Sequence, residues 1–291
     1  MIAGGVLAAC GGNDSDDSDG SGPDAGSEDT GPTGAGADQA GYTIVQRFPQ
    51  AVQVAGALRL PISLAGSDAV LVQDGPLTLG AQVLDIDGTP VGERIEAARR
   101  DAVPAPYYDF RPTIETPGFY SLVVDGGPPE GASFDVAEPG SVTVPSPGDP
   151  LPPFDTPTTS DARGVDPICT LEPEFCPFHA VTLTEALAAG KPVVYYVGTP
   201  AFCDTGSCAP GLESIIEVQP EFGEQFSFVH AEVYADMTAT SLSPAVASLQ
   251  EIGLAYEPVL FITDAAGVVT ERIDAVWNTE ELIEALNRAV S

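Results

Sequence analysis

The stretch Tyr195-Tyr196-Val197-Gly198-Thr199-Pro200-Ala201-Phe202-Cys203-Asp204-Thr205-Gly206-Ser207-Cys208 sets two thiols where a buried strand gives way to a helix. Val193 to Val197 is apolar, β-branched and aromatic, with Lys191-Pro192 before it and Gly198 after it, so it reads as a central strand. A helix follows Cys208, with Pro210 in its first turn and Leu212, Ile215 and Ile216 on one face. A thiol at a helix N-terminus has its thiolate favoured by free N–H groups and the macrodipole.

Outward from this stretch the pattern alternates. Thr182 and Glu185 form a capping box for a short helix stopped by Gly190. Beyond the cysteine helix, Pro220 breaks the pattern and Phe226 to Val233 reads as a second strand. Ser243-Pro244 opens a helix that Gly253 ends, and Pro258 opens a third strand, Val259 to Thr263. Asp264 to Gly267 turns the chain into a fourth strand, Val268 to Ile273. Asn278 with Glu281 caps a last helix whose Leu282, Leu286 and Ala289 share a face. The predicted order is strand, helix, strand, helix, strand hairpin, helix.

With the cysteine pair, Pro258 in Tyr256-Glu257-Pro258-Val259 and the amphipathic last helix in this order, residues 166–291 resemble the thioredoxin-like α/β fold. The resemblance implies that Pro258 is cis and shapes a surface on which an extended substrate peptide pairs. It implies thiol–disulfide exchange by Cys203 and Cys208, with protein thiols or a redox protein as partner. The chain departs from that family in two ways: four residues separate the cysteines instead of two, and the preceding strand carries no carboxylate to assist proton transfer. Order along the chain makes Cys203 the attacking thiol, whereas the helix dipole favours Cys208. A non-enzymatic binding or scaffold protein whose cysteine pairs are structural disulfides stays open beside the enzyme.

The other end of the chain speaks to compartment. Leu7-Ala8-Ala9-Cys10-Gly11-Gly12 resembles a bacterial lipobox, which implies lipidation at Cys10. The nine preceding residues carry no basic residue, so the true start of the signal is expected upstream. Asn13 to Ala40 is almost wholly Asp, Ser, Gly, Pro, Thr, Ala and Glu, a composition that cannot bury enough apolar surface to offset its ordering entropy. Residues 1–40 therefore read as a signal remnant and disordered acidic tether, anchoring the protein to the outside of the membrane by lipid alone.

Residues 41–140 show short β-prone runs, Thr43 to Arg47, Ala57 to Leu64, Leu77 to Ile86 and Phe119 to Val124, separated by Gly, Pro and Asp turns. Such spacing predicts an all-β antiparallel sandwich. Pro117-Gly118-Phe119-Tyr120 resembles the turn and tyrosine before a late strand of immunoglobulin-like domains. Residues 141–165, rich in proline, read as a semi-rigid linker.

Of five cysteines, four remain beside Cys10. Cys169 and Cys176, in a proline-broken stretch, read as a structural disulfide; with His179 they would supply three zinc ligands, but no fourth has suitable spacing. His230 reads as a satisfied core residue, although a histidine reaching Cys203 and Cys208 would suit Cu(I). Neither a metal nor another cofactor is expected. Arg94, Arg99 and Arg100 read as local charge balance and Trp277 as a packing residue. A net charge of −33, with ten Lys and Arg, repels nucleic acid and anionic headgroups, excluding both as partners.

Overall fold

In a computed structural model, residues 41–243, 254 and 256–291 are described, and the span Gln39–Ser291 forms one compact unit. Cys10, the tether and the helix expected after Ser243 lie outside the described residues.

The first part is all strand: β1 (Thr43–Gln46), β2 (Gln53–Val54), β3 (Gly56–Ala57), β4 (Leu60–Ala65), β5 (Thr78–Asp85), β6 (Pro90–Arg100), β7 (Tyr107–Phe110), β8 (Thr113–Ile114), β9 (Gly118–Val124) and β10 (Ala132–Ala137). Eight of them hydrogen-bond in the order β1-β4-β7-β6-β5-β9-β10-β2, and β3 pairs with β8. Strand β6 is the corner. It pairs with β5 along most of its length and gives its last residues, Arg99 and Arg100, to β7. Alternation does the rest, since Tyr120, Leu122 and Val124 of β9 and Phe134 and Val136 of β10 face inward. They meet Leu60, Ile62 and Leu64 from the other half of the sheet in one core, so the sheet closes on itself as two layers. All these pairings are antiparallel except β2 on β10. Tyr120 donates its hydroxyl to the Thr116 carbonyl at 2.6 Å, four residues upstream, tying the turn to the start of β9.

The second part holds α1 (Leu183–Ala188), β11 (Val193–Val197), α2 (Cys208–Phe222), β12 (Ser227–Ala231), β13 (Val259–Thr263), β14 (Val269–Asp274) and α3 (Thr279–Ala289). The sheet order is β12-β11-β13-β14, with β12 parallel to β11 and the β13–β14 hairpin antiparallel. Every residue of β11 is buried. Alternation sends Val194 and Tyr196 to one face, against Leu212 and Ile215 of α2 and Leu282 and Leu286 of α3. Val193, Tyr195 and Val197 go to the other, against Leu183 of α1, Val144 and Leu151. Both expected caps form: Thr182 and Glu185 close a full capping box, and the Asn278 side chain accepts from Glu281 N–H. Pro220 does not stop α2, which continues to Phe222; without an N–H it forgoes the hydrogen bond to the carbonyl of Ile216, one turn back, close to the helix end.

The proline-rich 141–165 packs on the second part: Gly148 N–H donates to Val269 O, Val269 N–H to Asp149 O and Leu151 N–H to Gly267 O, so the segment runs along β14, and Val144 and Leu151 enter the core. The two parts also share a buried ionic junction. Arg59, just before β4, forms a fork with Glu281 in the first turn of α3, at 2.7 and 2.8 Å. Its Nη1 donates to Asp274 O at 3.0 Å. Arg111 Nη2 reaches the same carboxylate at 2.7 Å, and the Tyr107 hydroxyl donates to it at 2.5 Å. Arg100 pairs with Glu284 of α3 at 2.8 Å, so it belongs to this junction, while Arg94 pairs with Asp125 and Arg99 with Asp101.

Candidate functional site

Cys203 and Cys208 are joined by a disulfide at the end of β11, their Cα atoms 5.9 Å apart. A 3-10 turn, Pro200–Phe202, carries the chain from Thr199 to Cys203, and Gly206 then adopts φ +66°, a left-handed turn that a side chain would strain. The turn brings Cys208 round as the first residue of α2. Ser207 makes no side-chain cap there; instead Cys208 N–H donates to Cys203 Sγ at 3.2 Å. The sulfur of Cys203 thus takes the place of a capping oxygen on an orphan helix donor. Thr205 Oγ1 lies 3.1 Å from the same sulfur. Cys203 is partly exposed and Cys208 is fully buried. Accessibility and the contact with the helix N–H both distinguish Cys203 from Cys208.

Glu257-Pro258 is a cis peptide at the start of β13, the strand beside β11, and Pro258 Cβ lies 3.2 Å from where a Cβ on Gly198 would stand. Glu257 completes the site. Its Oε2 accepts from Thr199 N–H at 2.5 Å and sits 3.8 Å from Cys208 Sγ. Burial pushes this carboxyl above its ordinary value, against the Thr199 hydrogen bond that lowers it. No acid stands on β11, and the segment entering the neighbouring strand supplies one. Its position before Pro258 was the available signal.

Beneath this loop lies a second cluster. Cys169 and Cys176 are unbonded and buried, contrary to the expected staple. Their neighbours are His179 and His230, and one ligand atom from each of the four lies within 4.8 Å of the others. Cys176 Sγ is 3.3 Å from His230 Nδ1, which is 3.1 Å from His179 Nε2. His230 Nε2 lies 2.9 Å from the Gly198 carbonyl, which can only accept, so the ring proton is on Nε2 and Nδ1 presents its lone pair to the cluster. The Cys176 thiol, Cys169's own burial opposing, pulls Cys169 below the ordinary thiol range, with His179 and His230 adding to the fall. His230 is a buried core residue bonded to the Gly198 carbonyl, as its strand position suggested, and one sequence reading is corrected: the trio Cys169, Cys176 and His179 does have a fourth neighbour, 51 residues beyond His179. Parallel pairing of β12 with β11 places His230 opposite Tyr196 and aims it there.

The two clusters touch through Thr170. Its N–H and hydroxyl donate to Glu232 at 2.6 and 3.1 Å, and its Oγ1 accepts from Ala201 N–H at 3.1 Å in the loop that carries Cys203. Burial raises the Glu232 carboxyl to about 7, the nearby His230 opposing. Tyr196, under the loop, donates its hydroxyl to Cys208 O at 2.8 Å.

No family model and no curated protein matches the chain. Among solved structures it is similar to one from Chlorobium tepidum described as a candidate DsbE thiol:disulfide interchange protein, at 16% identity over 50% of this chain and 99% of that one, with a TM-score of 0.37. A second Chlorobium tepidum thiol:disulfide interchange protein of the thioredoxin family matches at 16% identity over 50% and 98%, TM-score 0.31. The CARDB domain of a Pyrococcus furiosus protein, solved with two metal ions, matches at 18% identity over 33% and 84%, TM-score 0.19. At such identities and scores likeness does not extend to activity.

Proposed function

We propose that this is an extracytoplasmic lipoprotein, anchored through Cys10, in which an immunoglobulin-like sandwich supports a thioredoxin-like part that exchanges disulfides with protein thiols. The observation that carries the chemistry is the asymmetry of the pair: Cys203 is reachable and held by a helix N–H, and Cys208 is buried beside the Glu257 carboxyl. A substrate thiolate attacks Cys203 Sγ and breaks its bond to Cys208, which leaves as a thiolate and takes a proton from the Glu257 carboxyl. A second substrate thiolate then attacks its partner sulfur in the mixed disulfide and releases Cys203 as the thiolate that Cys208 N–H stabilises. Two electrons pass from substrate to protein, and the reverse sequence oxidises a substrate. Pro258 borders the face where an extended peptide would lie.

A scaffold reading has one observation in its favour: Pro104 Cγ, from the sandwich, lies 3.6 Å from where a Cβ on Gly206 would stand, so a sandwich loop covers part of the redox turn. The two readings separate in a redox titration of the full chain. An exchanging pair equilibrates with glutathione at a potential above about −300 mV. Cys208→Ser, which leaves Cys203 free, then traps mixed disulfides, and Glu257→Gln slows insulin reduction while leaving the fold intact. A bridge that stays closed across the glutathione range, with nothing trapped by Cys208→Ser, refutes exchange and leaves the scaffold.

A further inference from the structure

The geometry points to a structural zinc site formed by Cys169 Sγ, Cys176 Sγ, His179 Nε2 and His230 Nδ1. Two thiolates and two imidazoles are the donor set of closed tetrahedral zinc centres. Zinc bonds of about 2.3 Å to sulfur and about 2.0 Å to nitrogen put tetrahedral neighbours at about 3.3 Å for N to N and about 3.6 Å for N to S. The histidine nitrogens stand 3.1 Å apart and Cys176 Sγ is 3.3 Å from His230 Nδ1, each within a few tenths of an ångström of those separations, and all four atoms lie within 4.8 Å of one another.

Three further features fit a metal better than a disulfide. A bridge between Cys169 and Cys176 would leave two buried histidines facing each other through ring nitrogens, His230 fully buried and His179 at 2% exposure. The His230 ring is already oriented by its Nε2–H on Gly198 O, the outer hydrogen bond that fixes a ligating imidazole. Charge also closes: two thiols bind Zn²⁺ by releasing two protons to solvent, and the neutral Zn(S⁻)₂(His)₂ unit tolerates burial that a lone thiolate would not. No electrons move. All four positions are protein ligands, so the ion would not hold water for catalysis.

The ion's task follows from where its ligands come from. Cys169, Cys176 and His179 belong to an irregular segment without helix or strand, and His230 belongs to β12 in the sheet. Zinc would clamp that segment to the sheet directly under Gly198 and, through Thr170, under Ala201, fixing the redox loop from below.

This proposal does not depend on disulfide exchange, and its test removes that site. In full-length protein with Cys10, Cys203 and Cys208 replaced by Ser, purified without chelator, mass spectrometry of metals is expected to find one zinc per chain. The two remaining thiols should resist a thiol reagent until a chelator is added, when the thermal midpoint falls. Cobalt substitution of the same protein should give thiolate-to-cobalt charge-transfer bands, which His230→Ala or Cys176→Ser weakens. If either variant fails to fold, the cobalt spectrum of the parent decides. A Cys169–Cys176 disulfide in non-reducing peptide maps, copper or iron bound instead of zinc, or no cobalt charge-transfer band, overturns the proposal.

Discussion

Glu281→Gln tests whether the sandwich and the part that carries the cysteine pair are one cooperative body. The wild-type carboxylate is fully buried, forked by Arg59 and bonded by Arg111 and Tyr107. Burial by itself would raise its pKa; the Arg59 charge and hydrogen bond, with Tyr107 and Arg111, more than reverse this and hold it at about 2. Against about 4.3 in the unfolded chain, that depression corresponds to roughly 3 kcal/mol of stability at neutral pH. The sign follows from a lowered folded value: the contribution is complete above the unfolded pKa and disappears as pH falls from about 5 toward 2. Glutamine keeps the shape and removes the charge, leaving Arg59 buried against Asp109 at 3.7 Å. Breaking one side of a buried pair costs about 3–5 kcal/mol. Asp109, pushed up by burial and further by the Glu281 charge, titrates with the opposite slope, and removing that charge relieves Asp109 and offsets part of the variant's loss at neutral pH.

The assay is urea unfolding from pH 7 down to pH 3, followed by fluorescence of the only tryptophan, Trp277, and by far-ultraviolet circular dichroism, which is dominated by the sheets. Both signals should move together, the variant should lose about 3 kcal/mol at pH 7, and the gap should narrow as the pH drops. A loss below about 1 kcal/mol at pH 7, or a gap that does not change with pH, refutes the account of this junction.

Gly211→Ala should destabilise by about 1–3 kcal/mol, because its methyl would stand 2.7 Å from Trp277 Cζ2 in a packed core where the indole N–H is also fixed on Ser214 Oγ at 2.9 Å; the denaturation midpoint measures it. Cys10→Ser, in the protein expressed with its natural upstream signal, should release it from membranes into the soluble fraction; unchanged detergent partitioning would remove the lipid anchor from the proposed function.

Much of the second half was legible in the sequence because its signals are local. A capping box needs only Thr182 and Glu185, and the buried strand before the cysteines announces itself in five consecutive apolar residues. The pairing of Cys203 with Cys208 lies within one turn and a helix start. In each case the interacting groups are held near one another by the chain itself, so residue type and spacing carry the information.

The site's chemistry depended on approach between distant segments. Glu257 reaches Cys208 across 49 residues only because β13 lies beside β11, and His230 reaches Cys176 across 54 because β12 runs parallel to β11 on its other side. Arg59 and Glu281 stand 222 residues apart, and neither the fork nor its pKa can be read from either residue's surroundings in the chain. The packing of the proline-rich 141–165 is hidden for the same reason: composition denies it helix and strand, while its partner edge, β14, begins more than a hundred residues later. Local propensity set the elements and the cysteine pair; the order of strands in the sheet decided which carboxylate, which imidazole and which guanidinium came to stand beside them.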